Sequence, residues 1–322
     1  MKLNSLLNDG FPVFLAPMAG VTDAPFRRLV SKFGATAVVS EMVSSEALVR
    51  NSKKTYRRLT GGGDAKIVQI MGSDPQRMAE SAKINEDNGA DIIDINMGCP
   101  AKKIVSNNSG SALLRDEKLA VSIAEAVVKS VKIPVTLKMR LGWDDKSKNF
   151  KSLAKQFESV GIRMLSIHCR TRAQMYSGVA SWGEIFDLKD IIKIPYLVNG
   201  DIKNSDDAKH ALVLSNAYGV MIGRAALGKP WLLNQILQKI NYGRDIPSPT
   251  LEEQYLIVMD HFQDVLNFYG AEHGLRIFRK HFCWYSSGMS NSSLFRERIN
   301  QMDDIKSIEE LVKSFYAGHF QK

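Results

Sequence analysis

Asp91-Ile92-Ile93-Asp94-Ile95-Asn96-Met97-Gly98-Cys99-Pro100 begins as a buried strand and ends in polar and reactive groups. Ile93, Ile95 and Met97 share one parity and Asp94 and Asn96 the other, so one face is apolar and the opposite face carries hydrogen-bonding groups. A strand enclosed on both sides by apolar surroundings has no use for that second face. Gly98 frees the backbone, Pro100 fixes it, and Cys99 is presented between them on a stiff turn. In isolation the same residues also read as an ordinary turn with a half-buried cysteine as spacer.

Outward from this stretch the chain repeats one theme: a short apolar strand, a polar or glycine-containing loop, then a longer amphipathic segment. Strands are expected at Val13–Leu15, Ala37–Ser40, Ile67–Ile70, Ile92–Asn96, Val135–Lys138, Met164–His168, Tyr196–Asn199 and Gly219–Ile222. They recur every 25 to 40 residues or so, roughly the length of a βα unit. Helices are expected between them at Pro25–Phe33, Pro75–Asn88, Glu117–Lys129, Ser147–Val160 and Ser205–Leu214. The fold class is therefore α/β, and eight such units closing on themselves make a (β/α)8 TIM barrel. A doubly wound open sheet is the alternative. The barrel is preferred because polar and reactive residues collect at the C-terminal ends of the strands, which a barrel brings to one face.

Those ends supply Pro17, Met18 and Ala19 after strand one, then Glu41, Gln69, and Asn96 with Cys99. They continue with Lys138 and Arg140, His168, Arg170 and Arg172, Asn199-Gly200-Asp201 and Gly223-Arg224. Singly, each has a structural reading: Gln69 satisfying backbone groups, Lys138 snorkelling to solvent, His168 hydrogen-bonded in a core. Converging on one mouth, they are costly to bury unless they bind something. The glycines after strands seven and eight, with Arg224 as a bidentate donor, read as a phosphate site at the place where barrels commonly hold one. Ordinary βα turns are the competing reading.

The chain has 322 residues, 44% of them hydrophobic and 24% charged, which suits one large soluble domain with a smaller appendage. No apolar run approaches the ~20 residues of a membrane helix, and nothing at the N-terminus reads as a secretory signal. No membrane association and a cytoplasmic location are expected. Cys99, Cys169 and Cys283 are far apart with no C-x-x-C pair, which argues against a disulfide framework, and no metal site is expected. The formal net charge of +9 suggests an anionic partner.

Several strings now add up. Leu15-Ala16-Pro17-Met18-Ala19-Gly20-Val21-Thr22-Asp23-Ala24-Pro25-Phe26-Arg27, Gln69-Ile70-Met71-Gly72-Ser73-Asp74-Pro75, Asp94 to Lys103, Leu137 to Trp143, His168-Cys169-Arg170-Thr171-Arg172, Asn199 to Ile202 and Met221 to Trp231 together resemble the tRNA-dihydrouridine synthases, especially their bacterial B-type branch. The resemblance runs over nearly the whole chain, and Asn96-Met97-Gly98-Cys99-Pro100 is its most specific part. It implies an FMN-bearing barrel, a small helical domain, and reduction of the C5–C6 double bond of tRNA uridines, in the D-loop, with NADPH as reductant. It places FMN against Pro17, Met18 and Ala19, with Gln69 and Lys138 near the ring system and His168 beside it. Asn199, Gly200 and Asp201 would line the tail, and Gly223 and Arg224 would hold the phosphate. A fixed cation at Lys138 suits the negative charge of a reduced flavin. Cys99 would deliver the proton, Asn96 would meet a uracil edge, and Arg170 and Tyr176 would contact the substrate.

Two places depart from the family pattern: Cys169, where glycine is common, and Asn107-Asn108-Ser109-Gly110, which replaces a more basic loop. A linker is expected near 241–249, dividing a catalytic barrel at 1–242 from a helical tRNA-binding domain at 243–322. There Arg276, Arg279 and Lys280, at i, i+3 and i+4, are expected to form one basic face for tRNA. Lys102, Lys103 and the run Lys53-Lys54-Thr55-Tyr56-Arg57-Arg58 would assist it. A monomer is expected. Two other functions stay open: a small-molecule flavin oxidoreductase, and a non-catalytic tRNA-binding factor.

Overall fold

The computed structural model describes residues 2–49 and 66–319, so the basic run at 53–58 lies outside the described residues. Nine parallel strands form one sheet: β1 Val13–Leu15, β2 Ala37–Val38, β3 Val43–Ser44, β4 Ile67–Met71, β5 Ile92–Met97, β6 Val135–Arg140, β7 Met164–His168, β8 Tyr196–Asn199 and β9 Gly219–Ile222. Their order is β2-β1-β9-β8-β7-β6-β5-β4-β3. The two end strands are consecutive in the chain, and a parallel bridge between Val39, just after β2, and Ile67 of β4 closes the gap, so the sheet curls into a TIM-like barrel.

The second strand, expected over Ala37–Ser40, stops at Val38, and a further short strand that was not expected, β3, follows at Val43–Ser44. β2 pairs with β1 and β3 with β4. Between them the chain bends where Ser40 Oγ donates to the Glu41 carbonyl and Glu41 turns its carboxylate onto the Gly20 amide. The helix expected from Ser147 begins only at Phe150, because Asp144 and Ser147 close a turn on each other first, with Ser147 Oγ 2.9 Å from Asp144 Oδ1. A short helix, Lys2–Leu7, was not anticipated.

Side-chain alternation explains how the barrel positions a site. Outward residues such as Ile93, Ile95, Met97, Leu137 and Ile167 are buried under the surrounding helices in one large core. Inward residues at the N-terminal end of the barrel form a second apolar layer of Phe14, Ile67, Ile92, Met164, Leu197 and Met221, with Leu3 of the N-terminal helix packed into it. Further along the same strands the inward positions become Gln69, Asp94, Asn96, Thr136, Lys138, His168 and Asn199. The barrel is thus apolar at its floor and polar at its mouth.

Helix Leu232–Tyr242 ends at Gly243, and after residues 243–250 a capping box of Thr250 and Glu253 starts helix Leu251–Tyr269. Helices Ala271–Tyr285, Ser292–Gln301 and Ile305–Ala317 follow. These helices bury a cluster of their own, including Phe262, Phe278, Phe282 and Ile308. They dock on the barrel's first helix, Ala24–Lys32, through Arg28, whose guanidinium makes two hydrogen bonds to Asp264 at 3.0 and 2.7 Å, and through Phe26, which meets His261 and His281.

That junction has a pH dependence. Burial holds His261 down to about 3 and His281 well below the ordinary imidazole value. A histidine whose folded value is depressed supports folding in its neutral form, so its contribution is complete above the unfolded value of about 6.5 and declines as pH falls below it, by up to ~1.4 kcal/mol per pH unit. Asp23, raised to about 6 by burial, titrates with the opposite sign. Stability is therefore expected to decline as pH falls from about 6 to about 5, the buried histidines outweighing Asp23. Urea unfolding across this range checks it: His281→Phe should flatten the profile, and an unchanged slope would place the titration elsewhere.

Candidate active site

The polar end of the barrel opens into a cavity of about 720 Å³. That lies within the ~300–1,000 Å³ typical of small-molecule sites. Of the residues expected to hold a cofactor, Pro17, Met18, Lys138, His168, Asn199, Gly200, Asp201, Gly223 and Arg224 line this cavity, and so do Arg170 and Tyr176. Gln69 does not line it, and exposed Ala19 stands on the same loop as Met18 without lining it.

Among the inward side chains of β4, β5 and β6, beside the cavity lining, runs a continuous set of hydrogen bonds. Thr136 Oγ1 and Gln69 Nε2 each donate to the Asp94 carboxylate at 2.6 Å. Gln69 Oε1 accepts from Asn96 Nδ2 at 2.8 Å, and Asn96 Oδ1 accepts from the amides of Gly98 and Cys99 at 3.1 and 3.0 Å. The turn carrying Cys99 is therefore anchored through Asn96 and Gln69 to a carboxylate inside the barrel. Burial raises Asp94 against the lowering effect of those donors and of Lys138. Asn96 was expected to meet a substrate edge; in the structure its oxygen and one N–H are engaged in holding Cys99. Cys99 is half-buried, and its carbonyl accepts from Ser111 N and Oγ at 3.1 and 2.9 Å.

Lys138 Nζ donates to Asn199 Oδ1 at 3.0 Å, and Asn199 Nδ2 donates to the Met221 carbonyl at 2.7 Å. Burial and the neighbouring Arg140 push the Lys138 ammonium down to about 8. It is still largely charged at pH 7. His168 is held well below its ordinary value by burial, then by Lys138 and Arg140, so its imidazole is neutral. Gly200 is needed beside that ring: a Cβ there would lie 3.0 Å from His168 Cδ2 and 2.9 Å from Ala180. Cys169, the departure from the family pattern, is fully buried and pushed up to about 12 by that burial, so it is not a second reactive thiol.

Arg140 has a role that its position at a strand end did not reveal. Its Nε donates to Gly98 O at 2.9 Å, and Nη1 donates to Thr171 O and Met175 O, both at 2.8 Å. One buried guanidinium thus ties the Cys99 turn to the loop carrying Tyr176. Tyr176, half-exposed, lies over the cavity with its ring 4.8 Å from Arg224 Cζ and 5.5 Å from Arg140 Cζ. Arg170 is also internal, donating to Ser177 O at 3.1 Å, to Gly178 O at 2.7 Å and to Asp201. Trp143, between Arg115 at 4.1 Å and Arg172 at 4.5 Å, was likewise not singled out from sequence. No periodicity or spacing signals such contacts.

Lys102 and Lys103 stand exposed on the short helix after Cys99. The expected basic face of Arg276, Arg279 and Lys280 is not one face in the structure. Arg276 is exposed and paired with Glu272 in its own helix at 2.7 Å, while Arg279 turns to Met302 O and Asp303, each at 2.7 Å. Lys280 turns the other way, onto the carbonyl of Gly20. Helical spacing put them on one side, but nearby acceptors on three different segments divide them.

The chain matches the family model described as dihydrouridine synthase over residues 14–318. It is 50% identical over 309 residues to a probable tRNA-dihydrouridine synthase of Rickettsia bellii, covering 95% of each chain. It is 45% identical over 311 residues to tRNA-dihydrouridine synthase B of Pseudomonas putida, covering 96% of this chain and 92% of that one. Among solved structures, a 2-naphthoyl-CoA reductase superposes on 71% of this chain and 50% of its own with TM-score 0.53 at 15% identity. Histamine dehydrogenase from Rhizobium sp. 4-9 superposes on 80% and 49% with TM-score 0.52 at 12% identity. These two likenesses extend to the barrel fold alone.

Proposed function

The chain belongs to the dihydrouridine synthase family, in its bacterial B-type branch, and from that premise we propose that it is a flavin-dependent oxidoreductase that reduces uridines of tRNA to 5,6-dihydrouridine. The cofactor is FMN, the electron donor NADPH, and the uridines those of the D-loop. The observation that carries this reading is the cavity at the strand ends, lined by the half-buried ammonium of Lys138 and the guanidinium of Arg224, with a cysteine on the adjoining anchored turn.

The residues present fit such a cofactor. Lys138 offers a fixed cation where a flavin ring edge gathers negative charge, and Arg224 and Lys203 offer donors at the opposite rim, where a phosphate ends. Gly223 leaves room there, since a Cβ would have nothing nearer than Ala16 and Met18 at 3.9 Å. When bound, the flavin supplies hydride to C6 of the uracil ring. Negative charge then develops toward C5 and its conjugated carbonyl, and Cys99 delivers a proton to C5. Asn96 fixes the turn from which the thiol acts, and Gln69 fixes Asn96. Neutral His168 stands beside the ring site without adding charge, while Pro17, Met18 and Ala19 present backbone to it. Asn199 orients the Lys138 ammonium, and Asp201 orients Arg224 across 3.3 Å. Tyr176 stacks on the flipped base, and Arg170 acts on the substrate through the Tyr176 loop that it holds.

Exposed Lys102, Lys103 and Arg276 contact the tRNA backbone, as the salt-dependent capture of a polyanion requires. The chain acts as a monomer in the cytoplasm, with residues 1–242 as the catalytic barrel and 243–322 as the tRNA-binding domain. Among the described residues, no helix is long and apolar enough to cross a membrane. Mapping dihydrouridine in tRNA from cells with and without this protein tests the reading, and identical maps would reject it. Arg224→Ala is expected to weaken FMN retention about tenfold or more, because a charge-assisted phosphate contact is worth ~1.5–3 kcal/mol. Unchanged flavin occupancy after dialysis would remove Arg224 from the phosphate site.

A further inference from the structure

Helix Ala271–Tyr285 touches both loops assigned to the cofactor. Its Lys280 ammonium donates to the carbonyl of Gly20, in the loop after β1, while the Glu41 carboxylate accepts from the amide of the same glycine. Gly20 is thus held on both sides, its N–H by the barrel and its C=O by the helical region. The loop itself is tightly wound: Met18 O accepts from Val21 N at 2.9 Å and Thr22 N at 3.0 Å, and Met18 N donates to Thr22 Oγ1 at 2.9 Å. A shift at Gly20 is therefore passed to Met18, which lines the cavity. At the other loop, after β9, Gly228 has φ +70°, and a Cβ there would lie 2.4 Å from the Trp284 carbonyl. The helix accordingly lies against that loop with no space for a side chain.

Lys280 is a poor candidate for an RNA phosphate contact. It is partly buried, and its charge faces Asp23 and Glu41, which would repel a phosphate. We propose that Lys280 is a positioning residue for the cofactor loop, its ammonium tying helix Ala271–Tyr285 to Gly20 so that the backbone of Met18 and Ala19 stays in place against the flavin. The inference rests on the flavin reading above. It reverses the expectation that Lys280 belongs to a tRNA-binding face.

Lys280→Met and Lys280→Arg holoproteins, compared with wild type, test it through flavin release followed by fluorescence and through the salt dependence of tRNA affinity. Lys280→Met is expected to release flavin about tenfold faster, as the loss of one charge-assisted hydrogen bond implies, and to shift the bound flavin's absorbance. Its unfolding midpoint should stay near wild type and its salt slope should not change. Lys280→Arg, keeping the charge, should recover part of the retention. A salt slope lower by about 0.7–0.9, one phosphate contact, with flavin release unchanged would make Lys280 an RNA contact and overturn the proposal. Unchanged release and slope in both variants would also overturn it. A wild-type protein that purifies without flavin would overturn the flavin reading and this inference together.

Discussion

Replacing Cys99 by alanine is expected to lower uridine reduction by about 10²–10⁴-fold, the usual contribution of a positioned general acid, while FMN retention and reduction by NADPH stay near wild type. The separation follows from where the residue sits. Cys99 does not line the cavity assigned to the flavin, and its turn is held by backbone amides donating to Asn96, which the substitution leaves intact. The proton to C5 loses its source, whereas the cofactor loses no contact. Stopped-flow absorbance distinguishes the two half-reactions: flavin reduction should be unaltered and reoxidation by tRNA slow. Reoxidation at the wild-type rate would take Cys99 out of the mechanism, and a variant that cannot hold flavin would make its role structural.

Arg140→Met should combine a loss of stability with a loss of rate. The guanidinium is almost fully buried and serves three carbonyls on two loops, those of Gly98, Thr171 and Met175. Methionine fills much of the space but donates nothing. Leaving buried carbonyls without partners costs about 1–3 kcal/mol each before relaxation, so a net loss of about 3 kcal/mol is expected. With the Cys99 turn and the Tyr176 loop no longer tied, an error of about 1 Å in placing the acid against the base costs roughly a hundredfold in rate. Lysine should not restore either property, because a point charge cannot reach both loops as the planar fork does. Thermal unfolding and steady-state kinetics on both variants check this; full activity in Arg140→Lys would show that charge alone matters.

The parts of the fold legible in sequence are those with local causes. Seven of the eight expected strands recur with the same start and with an end that is unchanged or one or two residues later, among them Met164–His168 and Tyr196–Asn199. Alternation is a property of the residues themselves: the inward Asp94 and Asn96 of β5 already marked a polar interior. The end of the second strand was not legible, because it depends on Glu41 finding the Gly20 amide across the barrel mouth. The positions of Arg140 and Lys138 at a strand end were readable, but their partners lie 31 to 61 residues away in the chain. The basic triad in helix Ala271–Tyr285 fails for the same reason. Spacing sets which way a side chain leaves its helix, but acceptors from other segments set where it stops.

The most direct test is to incubate the purified protein with NADPH and unmodified tRNA, digest the RNA and measure its nucleosides by mass spectrometry. The proposed function predicts uridines of the D-loop that have gained two hydrogens, in wild type and only marginally in Cys99→Ala. Uridines left unchanged by a wild-type protein that holds FMN and oxidises NADPH would contradict it.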